Sequence, residues 1–358
     1  MYYSLFAFPH FYNVLEKNEL FFFVLTDTDR HRLTRVRSAC PRLFVPVRPC
    51  LSVSVNTKYK KKLDEKKHLI LLKYIYRKKS MENIKDIKED FFSPELCQLL
   101  TTPLRLYFNP KFYGMENIDT KNPHLYVCNH TIYGIIDVPL LVVEVYKQKG
   151  FLFCSLGDSR HYKIPIWRDI LIKGGMYHGD RKTCAELMKK GKNILVFPGG
   201  GYEVFKCKGE AYKLNWRKRY GFVRMAVEYS YPIIPVAQLG IDNAYTILMD
   251  SNELLNSFFG KLIKKTGLVD KYLRGGETIP PIARGIGLTP IPRPERLYFS
   301  FGKAIKTKKY NKNYKDDDIV ENLRKKVEDA LINEIKKLLY LREQDSEHGI
   351  LRSILKRL

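Results

Sequence analysis

The chain lacks any long hydrophobic run. Over its 358 residues none approaches the roughly 18 to 20 consecutive apolar residues that a membrane-crossing helix needs. The nearest, LFFFVL (Leu20–Leu25) and LILLKYI (Leu69–Ile75), are too short, and Lys73 interrupts the second. The N-terminus has neither the basic start nor the small-residue cleavage site of a secretory signal. Cysteine is sparse: seven are scattered, without a C-x-x-C pair. That argues against a disulfide framework or a zinc ribbon and fits a reducing compartment. Cys128 makes a C-x-H with His130, but structural zinc usually takes four such ligands, so no metal is expected. No G-K-[ST] follows a glycine run and no G-x-S-x-G elbow occurs. This argues against a nucleotide P-loop and a serine-nucleophile mechanism.

Acidic residues are also in short supply, 38 against 63 basic ones, for a formal net charge of +25. A solvated surface rarely needs that excess, so an anionic partner is implied: lipid headgroups, phosphorylated substrates or nucleic acid. The basic residues are dispersed and no recognised nucleic-acid motif accompanies them, so nucleic acid is the least favoured of the three. What is present in quantity is apolar and aromatic: 45% and 13% of residues, enough for a substantial core.

Residues 1–80 mix aromatic islands, the Arg- and Pro-rich patch RHRLTRVRSACPRLFVPVRPC and the lysine tract KYKKKLDEKK, with no sustained period. They read as a poorly ordered basic extension, the tract being either merely solvated or an attachment to anionic lipid. Residues 81–305 read as an α/β domain with a mainly parallel sheet wrapped by helices. Its strands are HLYVC, FLFCSL, NILVF, PIIPVAQL and RLYFSF, mostly continuous apolar runs of the kind covered on both faces. Helical stretches alternate with them: VPLLVVEVYKQK, CAELMKKGK and RYGFVRMAVEYS. FFSPELCQLLTTPLRLYF, with two prolines, predicts a short broken helical pair. In the final segment, 306–358, DDDIVENLRKKVEDALINEIKKLLYLRE predicts an amphipathic helix. Its apolar face is Ile319, Leu323, Val327, Leu331, Ile335 and Leu338.

In an open α/β sheet reactive residues gather beyond the carboxyl ends of strands. After HLYVC comes NHTIYGIID. His130 at a strand end can accept a hydroxyl proton, with Asp137 orienting its ring. Seven residues apart on one helix the two would be separated by about 10 Å, so a dyad requires the chain to turn, as Gly134 allows. The same residues also read as a structural histidine and a helix cap. After NILVF comes FPGGGYE, whose Gly199, Gly200 and Gly201 let backbone N–H groups approach an anion or developing oxyanion, or simply make a flexible turn. Glu203 stands just beyond and is the alternative carboxylate for the base. Arg160, Arg168 and Arg181 bracket a third loop suited to phosphate.

Taken in order, NHTIYGIID, GGMYHGDR, FPGGGYE and YPIIPVAQLG resemble the signature of the glycerolipid acyltransferase superfamily across roughly residues 100–305. The long His-to-Asp spacing and FPGGG, in place of the usual Phe-Pro-Glu-Gly, resemble one branch. That branch contains the transmembrane protein 68 group, plant phytyl ester synthases and, more distantly, type 2 diacylglycerol acyltransferases. The resemblance implies a membrane-associated O-acyltransferase moving a fatty acyl group from acyl-CoA, a co-substrate, to diacylglycerol, a long-chain alcohol or a lysophospholipid. No resident cofactor is implied. His130 and Asp137 would be catalytic. Asn129, Arg160, Arg181, Phe197, Pro198, Gly199–Gly201 and Glu203 would contact substrate. Tyr202 takes the place of a frequent arginine, so one cation is missing from the pattern. The expected location is the cytoplasmic face of a membrane, with the endoplasmic reticulum the candidate. The alternative is a catalytically silent lipid-binding module on the same fold.

Overall fold

The computed structural model describes residues 10–16, 19–25, 91–159, 161–163, 165–266, 279–310 and 312–345. The chain divides into two compact units, Met1–Glu82 and Asn83–Leu358. In the first, β1 (His10–Glu16) and β2 (Glu19–Leu25) pair antiparallel, His10 opposite Leu25. So the stretch read as an extension contains a hairpin built on ELFFFVL. The lysine tract lies outside the described residues.

In the second unit α1 (Pro94–Phe108) is one helix rather than a broken pair. Ser93 caps it, its Oγ accepting from Leu96 N–H, and Pro94 sits in the first turn. Pro103 withholds one backbone donor, but the helix continues through it. The Thr101 and Thr102 hydroxyls donate back to carbonyls of the preceding turn. Next along the chain come β3 (Lys111–Tyr113), β4 (Leu125–Cys128), α2 (Asp137–Lys149), β5 (Cys154–Gly157), α3 (Pro165–Lys173), β6 (Met176–His178) and α4 (Arg181–Lys189). The chain goes on through β7 (Ile194–Val196), α5 (Gly201–Val204), α6 (Gly221–Glu228), β8 (Ile233–Leu239), α7 (Ile241–Ala244) and β9 (Thr246–Met249). It ends with α8 (Ser251–Asn256), α9 (Phe258–Lys265), β10 (Ile282–Arg284), β11 (Tyr298–Phe301) and α10 (Asp317–Glu343).

The sheet has the order β3-β11-β8-β4-β7-β5-β6, with β8 and β11 antiparallel and the remaining pairs parallel. All five expected strands are there. The short β3 and β6 were not legible as strands, being three residues each with partly exposed side chains. Because side chains alternate across a strand, Leu125 and Val127 point into one apolar layer and Tyr126 and Cys128 into the other. The first layer is closed by α4, α6 and α10, the second by α1 and α2. The helix α10 buries Val320, Leu323, Val327, Leu331, Ile335 and Leu338, so Val320 replaces Ile319 on the expected face.

This topology decides where the loops meet. β7 and β8 flank β4 in parallel register, so the segments leaving Cys128, Val196 and Leu239 emerge at one edge of the sheet. Among the described residues no helix is long and apolar enough to cross a membrane.

Candidate active site

The loop after β4 is fastened residue by residue through its main chain. Asn129 is buried and locked amide to amide with Gln238 of β8. Its Nδ2 donates to the Gln238 carbonyl (2.9 Å), its Oδ1 accepts the Gln238 N–H (2.9 Å), and its own carbonyl accepts from Gln238 Nε2 (2.7 Å). The His130 N–H donates to Glu203 Oε2 (2.8 Å), while its carbonyl accepts from Lys206 Nζ (2.7 Å). Ile132 N–H donates to Asp242 Oδ1 (2.8 Å), and Tyr133 N–H to the Val204 carbonyl (2.9 Å). The side chains of Glu203, Lys206 and Asp242 are nearly fully buried, and Lys206 Nζ lies 3.4 Å from Asp242 Oδ2. Glu203 also accepts the N–H of Asn215 on Oε1 (2.9 Å). Its pKa is raised by burial, against the opposing field of Lys206.

The His130 ring stacks on Phe197, centroids 3.9 Å apart and planes 16° apart. Its Nδ1 is buried without a hydrogen-bond partner. Burial first, then the positive fields of Lys206 and His161, push its pKa down to about 3. The imidazole is therefore neutral at physiological pH, and the same burial makes it a weak proton acceptor in the ligand-free chain.

The expected turn is made: Tyr133 and Gly134 both have positive φ, 63° and 59°. A Cβ on Gly134 would lie 2.7 Å from His130 Nδ1, so the glycine lets the loop close over the ring. The turn does not, however, deliver Asp137 to His130. Asp137 opens α2, where Oδ2 accepts the Thr131 hydroxyl (2.5 Å) and Oδ1 the Val138 N–H (3.0 Å). It is almost wholly buried, and that burial raises its pKa to about 6. Asp137 thus braces the residue next to the base and makes no hydrogen bond to its ring.

The other sequence-predicted residues divide. Phe197 packs on the base, and Asn129 has its amide occupied by the sheet. Arg181 is exposed, donates to Glu228 (2.8 Å) and lies over the Tyr314 ring. Arg168 pairs with its neighbour Asp169 (2.7 Å), and Arg160 lies outside the described residues. Pro198 and the glycines do sit beside the base, and their cation comes from another segment. Arg219 Nη1 donates to the Pro198 carbonyl (3.0 Å), and a Cβ on Gly200 would overlap it. Arg217 lies 3.6 Å over the Tyr202 ring, with Arg219 at 5.7 Å. Asp242, Arg217 and Arg219 carry no motif of their own, Gln238 lies within the Pro-containing strand β8, and Lys206 stands three residues after Glu203. An open pocket lined by Ile132, Lys206, Cys207, Asp242, Tyr245 and Ile247 adjoins this network.

The chain is similar to several known proteins. Phytyl ester synthase 1, chloroplastic, of Arabidopsis thaliana is 29% identical over 252 residues, 66% of this chain and 35% of that protein. The human DGAT1/2-independent enzyme synthesizing storage lipids is 29% identical over 136 residues, 38% of this chain and 41% of that protein. The chain thus spans about two fifths or less of these relatives' lengths. The crystal structure of the 1-acyl-sn-glycerophosphate (LPA) acyltransferase PlsC from Thermotoga maritima covers 76% of this chain and 92% of that one. At 16% identity and a TM-score of 0.38 it is too distant to carry an argument. The family model described as Acyltransferase matches residues 109–238, the segment that holds β4, the His130 loop, the glycine loop and Gln238. Over residues 109–238 the chain is similar to the acyltransferase family.

Proposed function

We propose that the protein is a membrane-associated O-acyltransferase that moves a fatty acyl group from acyl-CoA to a lipid hydroxyl, of diacylglycerol, a long-chain alcohol or a lysophospholipid. The observation that carries this reading is an imidazole stacked on Phe197, its main chain clamped at the carboxyl end of a central parallel strand, within the segment that the Acyltransferase family model matches. His130 takes the proton of the acceptor hydroxyl as its oxygen attacks the thioester carbonyl. Gly200 N–H is already given to the Phe197 carbonyl (3.1 Å). The N–H groups of Gly199 and Gly201 are therefore the ones assigned to the oxyanion. The C–S bond then breaks, the ester forms, and the imidazolium returns its proton to the CoA thiolate. Arg217 and Arg219 take over the phosphate-binding part expected of Arg181.

Leu96, Leu99, Leu100 and Leu106 of α1 are 40–77% exposed and fall within an arc of about 120° at 100° per residue. An apolar stripe on a protein of net charge +25 suits an anionic bilayer surface. The test is transfer of labelled palmitoyl-CoA to a panel of these acceptors in vesicles containing phosphatidylserine, comparing wild type with His130→Ala. Ester formation that disappears in the variant is expected. Undiminished turnover in the variant, or binding of every acceptor without turnover, overturns the assignment.

A further inference from the structure

Among the described residues no side chain holds the ring of the base by a hydrogen bond; what is held is its main chain. The His130 N–H is taken by Glu203 and its carbonyl by Lys206, at 2.8 and 2.7 Å. With both ends of one residue fixed by charged, buried groups, the direction of its Cα–Cβ bond is set by the main chain. Stacking on Phe197 then sets the ring plane.

Gly199 shows how this is accommodated. Its φ lies outside the left-handed region, so its backbone conformation would admit a side chain. Yet a Cβ there would overlap Cγ, Cδ and Oε1 of Glu203. The glycine is required by the Glu203 carboxylate, which lies in the space where a side chain at 199 would begin. That carboxylate also bonds Asn215 N–H, so it joins the base loop to the segment that brings Arg217 and Arg219 to the glycines.

We propose that Glu203 is the positioning residue of the base. Its carboxylate, lodged in the space left by Gly199, orients His130 through the peptide, the task expected of Asp137. The inference rests on the acyltransferase reading given above and deepens it. It also implies that the carboxylate matters and its point of attachment does not: supplied from position 199, it would reach the same place.

The experiment uses the full chain in phosphatidylcholine–phosphatidylserine vesicles with labelled palmitoyl-CoA and dioleoylglycerol or hexadecanol, alongside His130→Ala, Glu203→Ala, Glu203→Gln and the relocation G199D/E203G. Glu203→Ala should lower kcat about 100-fold with KM within about twofold, as misplacement of a catalytic group does. Relocation should recover at least about tenfold of that loss. NMR of histidine-labelled protein supplies a readout independent of turnover. The His130 ring proton shielded by Phe197 should lose its upfield shift in Glu203→Ala and regain it on relocation. If Glu203→Ala does not fold, the near-isosteric Glu203→Gln carries the same comparison, because its amide can accept only one of the two N–H bonds. Retained kcat and ring shift in Glu203→Ala, or relocation no better than Glu203→Ala, overturns the inference. Acyl transfer undiminished in His130→Ala overturns the assigned base instead, and no transfer by the wild type to any acceptor overturns the acyltransferase reading.

Discussion

An imidazole that is to take a proton must be neutral when the substrate arrives, and His130 is kept so by burial and by Lys206. In a pH titration followed by NMR its ring should show no protonation between pH 8 and pH 5, where an ordinary histidine titrates. Asp137 is shifted in the opposite sense. Its folded-state pKa near 6 exceeds the unfolded value of 3.8, so the folded state binds the extra proton. The resulting stability is present below about pH 4 and is lost as pH rises through 6. Asp137→Asn should therefore remove this pH dependence, seen as a melting temperature that no longer falls between pH 4 and pH 7 on Asp137's account. Gly134 is constrained twice, by φ of +59° and by the His130 ring. Gly134→Ala should lower stability by about 1 kcal/mol and displace the imidazole, seen as loss of its upfield ring shift.

At the scale of elements, continuous apolar runs were enough to find β4, β5, β7, β8 and β11, because strands buried on both faces have few polar positions. The helix α2 was legible too, with Pro139 in its first turn and Gly150 ending it at φ 76°. What could not be read were partners distant along the chain. Glu203 lies 73 residues from His130, Lys206 lies 76 away, and Gln238 lies 109 from Asn129. No periodicity encodes such pairings. The exposed face of α1 makes its own prediction. In vesicle flotation, Leu99→Glu with Leu100→Glu should abolish membrane association. The melting temperature should hardly move, since both side chains are more than 60% exposed.

Across the whole molecule, α10 is part of the core, its apolar face laid against the sheet. Just beyond its end, Asp345 is buried and accepts from Arg296 Nη1 (2.7 and 2.8 Å) and from the Tyr298 hydroxyl (2.7 Å), with Lys111 Nζ at 3.2 Å. This carboxylate ties the end of the last helix to both β11 and β3. Leu331→Ala should lower unfolding free energy by about 2–5 kcal/mol in a urea titration. Asp345→Ala, which leaves a buried guanidinium short of its partner, should lower it by about 3–5 kcal/mol. Both losses should come with an unchanged m-value, because the helix unfolds with the sheet.

By itself, the sequence determined the α/β class, the strands around the site, the position of His130 and the resemblance to acyltransferases, since each is written in neighbouring residues. Local patterning sufficed there because strands and turns obey short-range rules. Only the tertiary structure decided which charges meet. It sent Asp137 to Thr131, paired Arg181 with Glu228, brought Arg217 and Arg219 to the glycines, and set Glu203 beneath the His130 peptide. The reason is geometric: a buried carboxylate takes whichever N–H groups the parallel strands bring to the edge of the sheet, and strand order, not sequence spacing, determines which those are.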